Sequence, residues 1–135
     1  MPGSFFDSNV LLYFASADSR KADRAEELIA TGGTISVQVL NEIANVGRRK
    51  MAMSWPEIRA FLALVRGLLA VEPITVGIHE GGLALCERSG LSLYDAMIAA
   101  SALDADCDTL WSEDMQDGMI LDDRLRISNP FAAAS

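Results

Sequence analysis

The sequence predicts a three-layer α/β/α sandwich built on a mainly parallel sheet. Three observations predict it. Short apolar runs alternate with longer segments of helical period, the helical segments carry start or stop signals, and 135 residues suffice for one core without disulfides or a structural metal. The whole span 1–135 is therefore expected to form a single domain.

Taken in order, Ser4-Phe5-Phe6 is a short apolar strand stopped by Asp7, and Val10-Leu11-Leu12-Tyr13 continues as a buried helical segment. Over 18–30, Ala22, Ala25, Leu28 and Ile29 recur at helical spacing, and Thr31-Gly32-Gly33 ends that helix. Thr34-Ile35-Ser36-Val37 reads as a strand, and 38–50 as a helix with Val39, Ile43 and Val46 on one face. Ser54, Pro56 and Glu57 mark the start of a helix reaching about Leu69, because Ser and Glu at that spacing can cap each other's backbone. A short strand over 70–76, broken by Pro73, precedes a helix from Ile78 to about Arg88 that Gly90 closes. A further helix covers about 93–104, and Thr109-Leu110-Trp111 is a buried strand. The acidic loop 112–118 follows, and 119–127 is expected to add one edge strand.

Composition sets limits on function. Eleven basic against 19 acidic residues give a net charge of −8, which repels a phosphate backbone unless carboxylates gather around a cation that reverses the local sign. Cys86 and Cys107 are far apart and outside any zinc-ligand spacing, so free thiols in a reducing cytoplasm are expected. No apolar run approaches the ~20 residues of a membrane span, and Asp7 interrupts the only candidate leader.

Several carboxylates occupy unusual positions. Asp7 follows the first strand, and Asp114 and Asp117 follow the strand ending at Trp111. In an open α/β sheet that is where ligands bind, although a turn or helix cap explains each one alone. Glu42 lies along the apolar stripe Val39-Ile43-Val46, where a carboxylate must either snorkel, pair with a cation or serve a site. Asp95 shares a stripe with Leu91, Ile98 and Ala102, but Ser92-Leu93-Tyr94-Asp95 also fits a capping box. If these acids met in one cleft they would repel each other unless neutralised, and oxygen-only donors suit Mg²⁺ or Mn²⁺ better than Zn²⁺. The single His79 reads as a surface or packing residue.

Phe6-Asp7-Ser8-Asn9-Val10 resembles the opening motif of PIN-domain nucleases, and Val37-Gln38-Val39-Leu40-Asn41-Glu42 resembles their second motif. The run Leu93-Tyr94-Asp95-Ala96-Met97-Ile98-Ala99 resembles the third, and Ser112-Glu113-Asp114 with Asp117 the fourth. All four occur in family order, and the size is similar to that of the VapC toxins of bacterial VapBC toxin–antitoxin pairs. The departures are Ser8 for the commoner Thr, Tyr94 at the entry to the third motif, and the bulky Trp111.

The resemblance implies a Mg²⁺- or Mn²⁺-dependent endoribonuclease, a homodimer, and an antitoxin partner, in a protein whose thiols and lack of a span or leader already lead one to expect a cytoplasmic location. It puts Asp7, Glu42, Asp95 and Asp114 in the catalytic cluster, with Asp7, Asp95, Asp114 and, as a fifth member, Asp117 on the metal. Glu42 is expected to act through water, and Asn9 and Ser112 to hold carboxylates in place. Arg48, Arg49 and Lys50 are candidate RNA contacts, though cations at a helix C-terminus also offset its dipole. Arg20, Lys21 and Arg24 form a second basic patch, and the helices over 18–30 and 54–69 are the candidate antitoxin and dimer faces. Two other readings stand beside this one: a catalytically silent PIN-like partner-binding module, and a haloacid-dehalogenase-like phosphatase suggested by Asp7-Ser8-Asn9 and Asp122-Asp123. The phosphatase lacks an acid two residues after its nucleophile, since Asn9 stands there.

Overall fold

A computed structural model describes residues 3–132. Phe5 and Phe6, both fully buried, make β1 (Gly3–Phe6) the centre of a six-stranded sheet. Asp7 breaks the strand and caps α1 (Ser8–Leu12), and Asp18 caps α2 (Ser19–Ala30). Gly33 then lets β2 (Thr34–Ser36) run close beside β1. A Cβ there would come within 2.5 Å of a Phe6 ring carbon and 2.8 Å of the Ser4 carbonyl oxygen.

Helix α3 (Val37–Lys50) buries Val39, Ile43 and Gly47, and α4 (Trp55–Leu68) opens with the expected reciprocal capping box of Ser54 and Glu57. After β3 (Ala70–Glu72), α5 (Val76–Ser89) ends at Gly90, whose φ of 71° is the left-handed stop that glycine adopts without steric cost. Helix α6 (Leu93–Asp104) is buried from Ala96 through Leu103 and packs against β2, β4 (Cys107–Trp111) and α5. That burial on all sides explains why its sequence shows little helical periodicity.

The strand order is β3-β2-β1-β4-β6-β5, with every pairing parallel except the last, and helices flank the sheet in an α/β/α sandwich. One expectation is corrected. The segment 119–127 is not a single edge strand but a hairpin of β5 (Ile120–Leu121) and β6 (Leu125–Ser128), with β6 inside the sheet against β4 and β5 at the edge. Asp122 and Asp123 form its corner with φ of 50° and 58°, a positive-φ turn that matches strand twist. Among the described residues no helix is long and apolar enough to cross a membrane. Cys86 and Cys107 are free thiols.

Candidate active site

Connections from β1 run first to β2 and β3 on one side and then to β4 and β6 on the other, so the chain changes direction beside β1. Such a switch point opens a crevice at the carboxyl ends of the strands. Asp7 stands there, and its backbone N–H still donates to the Trp111 carbonyl at 2.9 Å. Its neighbours across the sheet edge are Ser112 after β4 and, continuing the β1–β2 register of Phe5 with Thr34, Ser36 at the end of β2.

Asp7 is only 3% exposed. One carboxylate oxygen, Oδ1, accepts the Ser8 backbone N–H at 2.7 Å; the other, Oδ2, accepts the Ser112 hydroxyl at 2.8 Å and the Asn9 amide at 3.2 Å. Asn9 in turn accepts the Glu113 backbone N–H at 3.1 Å, which fixes the start of the acidic loop. Burial pushes the Asp7 carboxyl up to about 6, and the negative charges of Glu42 and Asp95 add to this against the opposing bonds from Ser112 and Ser8.

Glu42 is half-buried on α3, held by the Ser8 hydroxyl at 2.8 Å and the Gln38 amide at 3.2 Å. Gln38 also donates to the Tyr94 carbonyl at 2.9 Å, tying α3 to the start of α6. Asp95 is half-buried in the first turn of α6, where the Ser92 hydroxyl accepts its backbone N–H at 3.4 Å. The reciprocal half of that capping box, a bond from the Asp95 carboxylate to Ser92, is not made among the described residues. The carboxylate is thus not consumed by capping.

Three of the sequence-selected acids, Asp7, Glu42 and Asp95, therefore lie within electrostatic reach of one another. Asp114 is exposed on the loop after β4. Asp117 is exposed too, and its Oδ1 accepts the Asn129 backbone N–H at 2.8 Å. Asn9 and Ser112 both donate to Asp7. Arg48, Arg49 and Lys50 are exposed in the last turn of α3, but Arg48 lies over the Trp55 ring at 4.6 Å and donates to the Met53 carbonyl at 3.1 Å. Of the other basic patch, Lys21 pairs with Glu113 and the Tyr13 hydroxyl, and Arg24 donates to the Pro130 carbonyl.

Sequence reasoning did not single out Ser8 or Gln38. Ser8 links two of the acids, and only its adjacency to Asp7 hinted at this. The signal for Gln38 was its position four residues before Glu42, one helical turn away.

Whether these residues suit a divalent cation can be judged from the donors. Among the described residues, no three acidic, histidine or cysteine side chains stand close enough to grip a metal ion. The donors are nevertheless hard oxygens, and their mutual repulsion falls on Asp7. The Ser36 hydroxyl, fully enclosed beside this cluster, has no hydrogen-bond partner among the described residues. A buried hydroxyl of that kind calls for an ordered water or hydrated ion. The chemistry fits Mg²⁺ or Mn²⁺, while the side chains stand apart from a closed cage.

The PIN domain family matches residues 4–116, which holds the whole of this cluster. The chain belongs to the PIN-domain family. Its fold is similar to a chain of the toxin–antitoxin complex from Klebsiella pneumoniae, with TM-score 0.71, 21% identity, and coverage of 96% of this chain and 99% of that one. It is also similar to VapC20 of Mycobacterium tuberculosis, a Sarcin-Ricin loop cleaving toxin (TM-score 0.64, 20% identity, 79% and 86% coverage). A third similar chain comes from VapBC2 of Rickettsia felis bound to a promoter DNA fragment (TM-score 0.69, 19% identity, 93% and 97% coverage). No curated protein matches the chain in sequence. For this PIN domain the phosphatase reading falls away: Asp122 and Asp123 form the hairpin corner, where Asp122 is paired with Arg88.

Proposed function

We propose that this PIN domain is a Mg²⁺- or Mn²⁺-dependent endoribonuclease and the cytoplasmic toxin of a toxin–antitoxin pair. The observation that carries the reading is the enclosed Asp7 carboxyl at the sheet switch point, held up to about 6 by burial and by Glu42 and Asp95. An acid kept in so unfavourable a setting fits a position awaiting a cation.

Asp7, Asp95 and Asp114 would hold the ion, with Asp117 a further candidate once released from Asn129. When bound, the ion's contribution would be to make an attacking water more acidic and to offset charge on the phosphoryl oxygens. Ser8 and Gln38 keep Glu42 in one orientation, leaving lone pairs on both its oxygens to accept a proton from water. Ser112 and Asn9 fix Asp7, and Asn9 also orders the loop that carries Asp114. With a net charge of −8, RNA affinity should be weak and salt-sensitive, helped by Arg49 and Lys50 more than by Arg48, which is occupied at Trp55.

Support for an antitoxin comes from the toxin–antitoxin complexes that share the fold, and support for a homodimer from α4 alone. That helix leaves Trp55, Leu64 and Leu68 about half exposed, whereas α2 shows mainly charged residues to solvent. The second reading, a silent PIN module that only binds a partner, is favoured by the open spacing of the acids.

Expression in a heterologous bacterium separates the two. Growth arrest that Asp7→Asn or Asp95→Asn abolishes supports the nuclease; arrest, or its absence, indifferent to both changes supports the binding module.

A further inference from the structure

Beside the acidic centre lies a cleft of about 400 Å³ lined by Gln38, Asn41, Glu42, Asn45, Ile74 and Tyr94. Its volume falls within the roughly 300–1,000 Å³ of small-ligand clefts. We infer that this cleft is a nucleobase subsite, taking one unstacked base of single-stranded RNA next to the cluster of Asp7, Glu42 and Asp95. The inference rests on the ribonuclease reading for the source of the base, but the site's own chemistry selects the ligand.

Glu42 belongs to both cleft and cluster, so the two are continuous. Residues 38, 41, 42 and 45 recur at the spacing of one helical face, so the amide side chains of α3 form a row ending at the acids. Gln38 is committed to the Tyr94 carbonyl and to Glu42. Asn41 and Asn45 are exposed and make no side-chain hydrogen bond among the described residues. Each amide offers both a donor and an acceptor, the mixed pattern that base edges require. Tyr94 is 66% exposed, held through its own backbone by Gln38, and gives an aromatic ring beside these amides.

The cleft lining carries one negative charge and no positive one, so a phosphate would meet only repulsion there. A neutral, flat, hydrogen-bonding group meets none. That charge pattern separates a base subsite from a backbone-binding groove.

Uncharged ribonucleosides test the site without any contribution from metal or phosphate. The chain has two tyrosines, so ring-labelled protein gives a probe at Tyr94 and a control at Tyr13, whose hydroxyl is engaged by Glu113 and Lys21. Titration with adenosine, cytidine, uridine and inosine should shift the Tyr94 ring resonances saturably for at least one nucleoside and leave Tyr13 still. Asn41→Ala and Asn45→Ala should weaken that binding about ten-fold, and Tyr94→Phe should preserve it, whereas Tyr94→Ala, followed through backbone resonances of α3, should weaken it about ten-fold.

Shifts absent for all four nucleosides overturn the subsite. A Tyr94→Ala variant that turns a dimer into a monomer while nucleoside binding is unchanged assigns the face to a second copy of the chain and also overturns it. Nucleoside binding in a protein that cleaves no RNA would sink the nuclease reading and leave the subsite standing. Cleavage whose base preference ignores Asn41→Ala, Asn45→Ala and Tyr94→Ala would do the reverse.

Discussion

Replacing Asp7 by asparagine should stabilise the metal-free protein at pH 7 and destabilise it at pH 4. In the folded chain the Asp7 carboxyl is raised from 3.8 to about 6. A raised acid binds more protons folded than unfolded between those values, so its contribution to stability falls as pH rises through them. The full penalty, reached near pH 7, is about 3 kcal/mol for a shift of roughly two units. Asparagine removes that charge but introduces a different cost. Asp7 Oδ2 accepts from both Ser112 and Asn9, and an amide nitrogen in its place would confront the Asn9 amide donor to donor. Losing that bond costs about 1 kcal/mol at every pH. The variant should therefore gain about 2 kcal/mol at pH 7, lose a fraction of 1 kcal/mol at pH 4, and cross the wild type between pH 4 and 5. Urea unfolding of both proteins in EDTA across pH 4 to 7.5 measures the difference directly. A variant less stable than wild type by a constant amount would show that neither burial nor the neighbouring acids strain Asp7.

Glu42→Gln removes one of the charges that raises Asp7, so an NMR titration should find the Asp7 carboxyl lowered, and RNA cleavage should fall about 100-fold. Gly33→Ala forces a methyl against the Phe6 ring and the Ser4 carbonyl, and denaturant unfolding should show a loss of about 2 kcal/mol. Ser54→Ala breaks the capping box of α4 and should cost about 1 kcal/mol with no effect on cleavage. Added Mn²⁺ should raise the melting temperature of the wild type and not that of Asp95→Asn.

Much of this fold was legible because its signals are local. Ser54 with Glu57 before α4 and Gly90 after α5 each satisfy orphan backbone groups within one turn, so the residues nearby suffice to place them. The position of β6 was not legible, because parallel pairing with β4 across the intervening acidic loop leaves no local turn signal, and β5 has only two residues. Within the site, the burial of Asp7 follows from its place after Phe5 and Phe6, and Glu42 stood out by lying on an apolar stripe. The role of Ser8 was hidden because a hydroxyl next to Asp7 looks like any turn serine until α3 brings Glu42 to it. Asp117 stood behind Asp114 in sequence as a fifth candidate, and it accepts a bond from Asn129 that only the returning tail supplies.

Incubating purified protein with total cellular RNA in Mg²⁺, in Mn²⁺ and in EDTA, alongside Asp95→Asn, tests the central claim most directly. The account predicts cleavage with either metal that disappears in EDTA and in the variant. Cleavage that persists in EDTA or in Asp95→Asn, or folded, partner-free protein that leaves all RNA intact under every condition, would contradict it.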